Sequence, residues 1–233
     1  MPGGLARAAL GLRRPEGGES ELAAGESGPL RDPAIWRLSL GSASVVLAQL
    51  SVLSFLALYL HEERGWSLGA AALALAAMQL GGALARVAAG IWSDRLASRI
   101  RPLRTLALAG AAALALAAAL LSGPAAGAAT LLMTSGVLLM AGNGVSFAAA
   151  AEMAGPRRVG TALGLQNTVL AVAVAIAPPA FGATVGLLSW PAAFALAAAA
   201  PLVGWIVLGP LARSERGRSA RPGSRWRDAQ GGA

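Results

Sequence analysis

Cysteine is absent from these 233 residues, lysine is absent as well, and histidine occurs once. Without thiols there is no disulfide framework and no thiolate metal site, and a single imidazole excludes a multi-histidine cluster. No cofactor is called for. Charge is scarce too: charged side chains make up 13% of the chain, where a soluble domain carries about a quarter. No aspartate or glutamate lies near the middle of any apolar run, which argues against proton coupling through this part of the protein. No cleavable leader is expected, because "MPGGLARAALGLRRPEGG" interrupts its apolar stretch with arginines after a few residues. The first true span then serves as its own insertion signal.

What is abundant is apolar sequence. Hydrophobic residues reach 56%, and charge is confined to the two ends and a few short joints. The runs left between them are of the ~20-residue length a helix needs to cross ~30 Å of hydrocarbon. The chain reads as an all-α polytopic membrane protein with spans at 36–60, 67–92, 104–122, 126–151, 159–187 and 191–211. Residues 1–35, rich in glycine and glutamate, read as a flexible linker or tail. Residues 36–211 form a six-helix transmembrane bundle, and residues 212–233 form an arginine-rich, disordered tail.

The net charge of +8 does not mark a nucleic-acid partner, because the cations collect at span ends and tails, as membrane orientation requires. All nineteen are arginine, and seventeen of them fall on one side if both termini are cytoplasmic. An even number of spans places both termini on one side, so count and charge agree. Heavy use of alanine, glycine, proline and arginine points to a GC-rich bacterial gene, and hence to a bacterial inner membrane.

Polarity differs between spans. Spans one, two, four and five carry serines, threonines, glutamines and asparagines, whereas span three has only Thr105 and Ser122 near its ends and span six has none of these types. Polar groups in hydrocarbon turn toward protein or a watery cavity. The expectation is an inner set of spans one, two, four and five, with three and six facing lipid. This inner-inner-outer order, taken twice, is a three-plus-three repeat of the kind built into many transporters.

The joint between spans two and three reads "GIWSDRLASRIRPLR", one aspartate and four arginines in fifteen residues. It resembles the loop signature of the major facilitator superfamily, G-x-x-x-D-R-x-G-R-R, with Gly90, Asp94, Arg95 and Arg99 at matching positions. Ala97 and Ser98 stand where the family has its second glycine and the first arginine of its pair. With "RDPAIWRL" leading into span one and "RRVGTALGLQNT" entering span five, the chain is similar to the C-terminal six helices of a twelve-helix transporter preceded by its central linker. The resemblance implies half of the family's fold and a missing or second six-helix half as partner. It also implies that Asp94 bridges to that half as a conformational latch. Residue chemistry alone leaves a second reading open, in which the joint only orients the chain.

A charge network is expected around the latch. Glu152 ends span four, Arg157 and Arg158 precede span five, and Glu152 is expected to pair with Arg99 or Arg101 or to stand exposed at the interface. Arg86 is the one charge well inside a span, about 12 Å along the helix from Asp94. It is read either as a partner of this network or as a contact for an anionic solute. Gln49, Gln79, Asn143, Gln166 and Asn167 are the neutral hydrogen-bonding groups expected nearest a central pathway. Glycines at "GTALG" and "GNG" suit close helix packing, Pro178 and Pro179 should kink span five, and His61 reads as interfacial.

An intramembrane serine protease needs a G-x-S-G serine and a histidine within its spans, and none of the six expected spans contains either. A non-enzymatic protein is expected: a secondary transporter of a small solute working by alternating access, or, as the alternative, a non-transporting structural or regulatory membrane subunit.

Overall fold

A computed structural model describes residues 28–121 and 123–219. Span one begins where Asp32 Oδ1 accepts the Ala34 N–H at 2.8 Å and Pro33 takes the first helical position, and it runs Pro33–Glu62. Span two, Leu68–Arg95, is capped in the same way by Ser67, whose Oγ accepts the Ala70 N–H. Span three is Ile100–Ala119, beginning four residues earlier than expected and so inside the arginine joint. Span four is broken at Gly142 into Ala125–Ala141 and Asn143–Ala154. Span five, Val159–Leu187, stays helical through both internal prolines. Span six is Trp190–Val207, with Ser189 as its cap, and a second helical segment follows at Gly209–Ser219.

Six helices are thus long and apolar enough to cross a membrane, as the hydropathy pattern requires. The expected tail differs: residues 212–219 are helical, carrying span six beyond the hydrocarbon length. The linker expected over 1–35 falls outside the described residues up to 27, and its end forms a short 3₁₀ turn, Pro29–Arg31, ahead of span one.

Packing shows the three-plus-three repeat directly. Span one packs chiefly against five and six, span four chiefly against two and three, and three packs against six. Exchanging each span with the one three places later leaves this pattern unchanged. Because each repeat has three helices, the two repeats are inverted in the membrane. Glycines permit the approaches. A Cβ on Gly204 of span six would lie 2.7 Å from the Gly41 carbonyl oxygen of span one, and one on Gly110 of span three would lie 2.7 Å from Leu139 of span four. Spans two and four interlock reciprocally, Met140 lying over Gly82 and Met78 over Gly136.

Burial within this one bundle follows a different order from the polarity of the spans. Half of the most apolar stretch of spans one and four is buried, 44% for span three, 33% for span six and only 22% for spans two and five. Spans one and four form the centre, and two and five hold the most open surface. The polar groups of two and five mark a face turned away from the chain's own core.

Candidate functional site: an arginine hub and a buried amide network

The joint after span two folds as a tight cap. Ala97 takes φ 46°, the left-handed conformation, which turns the chain so that Ser98 is buried. Ser93 Oγ donates to the Ser98 carbonyl at 2.9 Å, closing the turn from below. Arg99 then lies at the centre of a cluster. Its Nη1 meets Asp94 Oδ1 at 2.5 Å and donates to Ser93 Oγ at 3.1 Å. Its Nη2 and Nε reach Glu152 Oε1 at 2.8 and 2.9 Å. The Glu152 carboxylate, more than any other group, holds the Arg99 guanidinium above its ordinary range.

A third carboxylate completes the hub. Glu215, on the helical extension of span six, accepts the Ser98 hydroxyl at 2.5 Å and the Arg99 backbone N–H at 2.9 Å. It thereby satisfies an orphan donor at the start of span three. Ser98 Oγ also accepts the Arg101 N–H at 3.3 Å. A cavity of about 520 Å³ opens beside this cluster, with Asp32, Arg99, Glu152 and Glu215 in its wall.

Sequence reasoning placed Asp94, Arg99 and Glu152 in one network without deciding between Arg99 and Arg101 as the partner. The geometry brings Arg99 to Glu152 and leaves Arg101 exposed. Arg95 and Arg157 are exposed, and Arg158 is half-buried at the start of span five. Gly90 meets nothing within 4 Å of a Cβ position, so no backbone of this chain approaches it. Glu215 escaped the sequence reading. Its signal was a lone acid in "ARSERGR", legible only once the tail is known to be helical.

Nearer mid-membrane a second network joins spans one, four and five. Asn143 Nδ2 donates to Gln49 Oε1 at 3.1 Å, Ser42 and Ser146 share a hydrogen bond of 2.9 Å, and Gln166 Nε2 donates to Ser146 Oγ. Gln49 and Gln166 are buried, and the Gln166 carbonyl oxygen has no protein partner. Asn143 stands at the break in span four, where the Met140 carbonyl accepts Arg86 Nε at 3.3 Å in addition to the Gly142 N–H. Arg86 is thus bonded to span four and not to the arginine hub. Gln79 and Asn167 are exposed on the open faces of spans two and five. Gly144, Gly160 and Gly164 meet nothing within 4 Å, so the expected close packing at "GTALG" has no counterpart inside the chain.

The Major Facilitator Superfamily sequence profile matches residues 4–178. The chain belongs to the Major Facilitator Superfamily. Its curated relatives include proteins named as uncharacterized MFS-type transporters from two strains of Mycobacterium tuberculosis, CDC 1551 / Oshkosh and ATCC 25618 / H37Rv. Each is 36% identical over 219 residues, covering 91% of this chain and 48% of the relative. The chain thus spans about half the length of the curated relatives it matches. Membership agrees with the six helices long and apolar enough to cross a membrane, and places the chain in a family of multi-pass membrane proteins. It also explains Ala97: the superfamily signature puts glycine there, and the observed φ is one that glycine adopts without a steric cost.

Proposed function

We propose that this chain is the C-terminal six-helix half of a secondary transporter that moves a small solute by alternating access. The observation that carries the reading is the open face of spans two and five. Arg86, Gln79 and Asn167 lie exposed there within apolar helices. Each such group facing lipid costs from a fraction of a kcal/mol to several, and a second six-helix half removes that cost by covering the face. In this reading the buried amides Gln49 and Gln166 and the half-buried Asn143 border the solute pathway. Asp94, with 65% of its side chain exposed, is available to bridge to the other half when the arginine hub lets it go. Both termini and the hub lie on the cytoplasmic side of a bacterial plasma membrane.

The test is reconstitution of residues 1–233 into liposomes, with crosslinking to count subunits and with the upstream half of a relative added in parallel. Solute uptake is expected only from dimers or from the two-half assembly. Uptake by a demonstrably monomeric preparation overturns the proposal.

A further inference from the structure

On the helical extension Gly209–Ser219, the face that carries Arg213 and Arg216 meets Arg104 of span three. Arg104 of span three is half-buried; its Nε donates to the Trp205 carbonyl at 3.1 Å and its guanidinium carbon lies 4.4 Å from the centre of the Trp205 ring. These two contacts fix the plane of the group. Gly209 lies against this group: an added Cβ there would be 3.8 Å from its Nη2. Arg213 and Arg216, both exposed, follow Gly209 by four and seven residues, on the same helical face that Gly209 turns to Arg104, and no ion pair joins them to a carboxylate among the described residues. Arg101 is exposed three residues before Arg104, on the same side of span three by helical spacing. The four described carboxylates at this end of the bundle are engaged elsewhere: Asp32 with Ala34, Asp94 and Glu152 with Arg99, Glu215 with Ser98 and Arg99.

A set of like charges held together at the end of two membrane helices, with one member fixed by an aromatic ring, is arranged for an anion. Arginine forks match the oxygens of a phosphate in pairs, and the level of the cluster, beside an interfacial tryptophan, is that of lipid headgroups. We propose that Arg104, Arg213 and Arg216 bind a phosphate ester, supplied by the headgroup of an anionic phospholipid in the leaflet at this end of the bundle. Neither the solute nor the second half enters this proposal, so it stands or falls separately from the transport reading. Its consequence is a lipid-dependent tie between span three and the extension that carries Glu215.

The experiment uses the full chain in neutral detergent, with native mass spectrometry to count retained lipid after addition of phosphatidylglycerol or phosphatidylcholine. Preference for phosphatidylglycerol is expected, falling about fivefold for each arginine removed in Arg104→Gln and in the surface double variant R213Q/R216Q. Arg95→Gln, which removes the same charge elsewhere at this end, should retain the preference. Competition with soluble glycerol phosphate separates the sources. Resistance to it supports a lipid ligand, and displacement at equal concentration keeps the phosphate-ester site while overturning the lipid as its source. Equal retention of both lipids, or a preference unchanged in R213Q/R216Q, overturns the site itself.

Discussion

Ala97 is the residue at which the family resemblance and the backbone meet. At φ 46° it occupies a region that costs a side-chain-bearing residue about 1–2 kcal/mol relative to glycine. Glycine gives back about 0.4–1 kcal/mol through the freedom of its unfolded chain. Ala97→Gly should therefore raise the stability of the purified protein by about 0.5–1 kcal/mol, read as a higher thermal midpoint in detergent; a lower midpoint would show that the turn is not left-handed. Arg99 makes the opposite kind of prediction. Its partners Asp94 and Glu152 are 65% and 56% exposed, and exposed ion pairs contribute only about 0–1 kcal/mol each. Arg99→Gln should accordingly leave the thermal midpoint nearly unchanged while releasing both carboxylates. The change should appear instead in conformation, as faster modification of a cysteine introduced at the half-buried Met153, next to Glu152 in the wall of the cavity. A large stability loss with no change in accessibility would make Arg99 a structural residue and not part of a latch.

At the scale of elements, six spans were legible because apolar length and arginine placement are local properties of the sequence, and the three-plus-three order was legible in the polar residues. Three features were not. The break at Gly142 sits among contacts from another helix, with Met140 lying over Gly82 and its carbonyl accepting Arg86 Nε. The extension of span six is held by Glu215, whose partners lie more than a hundred residues away. What covers the open faces of two and five was not legible either, since polarity reports that a face is covered without saying by what. Glycine substitutions separate these cases. A Cβ at Gly204 would meet a backbone oxygen of span one at 2.7 Å, which cannot swing aside, whereas Gly164 has open space. Gly204→Ala should destabilise the chain by about 1–3 kcal/mol. Gly164→Ala should be neutral or stabilise it by up to about 1 kcal/mol. Denaturation of the two variants side by side decides the matter, and equal losses would mean that span five is packed inside the bundle.

For the whole molecule, the two ends of the bundle are held by different chemistry. At one end, Phe55, Tyr59, Phe181, Trp190 and Phe194 stack within 4.8–6.3 Å of one another across spans one, five and six. Arg64 beside them donates to the Leu121 and Gly123 carbonyls at the end of span three, at 2.7 and 2.6 Å. At the other end, exposed ion pairs around Arg99 do the joining. Aromatic burial changes little with a partner's approach, while exposed pairs exchange at low cost, so the proposed transport cycle assigns movement to the ionic end. The count of arginines assigns that end to the cytoplasm, and this assignment can be checked in intact cells. The chain has no cysteine, so each introduced thiol reports without background. Ser98 is unsuitable as a reporter, being buried and bonded to Glu215. Ala97 and Leu188 are exposed at opposite ends of the bundle. An impermeant maleimide added outside intact cells should label Leu188→Cys and leave Ala97→Cys unlabelled until the membrane is permeabilised. Labelling of Ala97→Cys from outside would invert the topology and place the arginine hub on the face away from the cytoplasm.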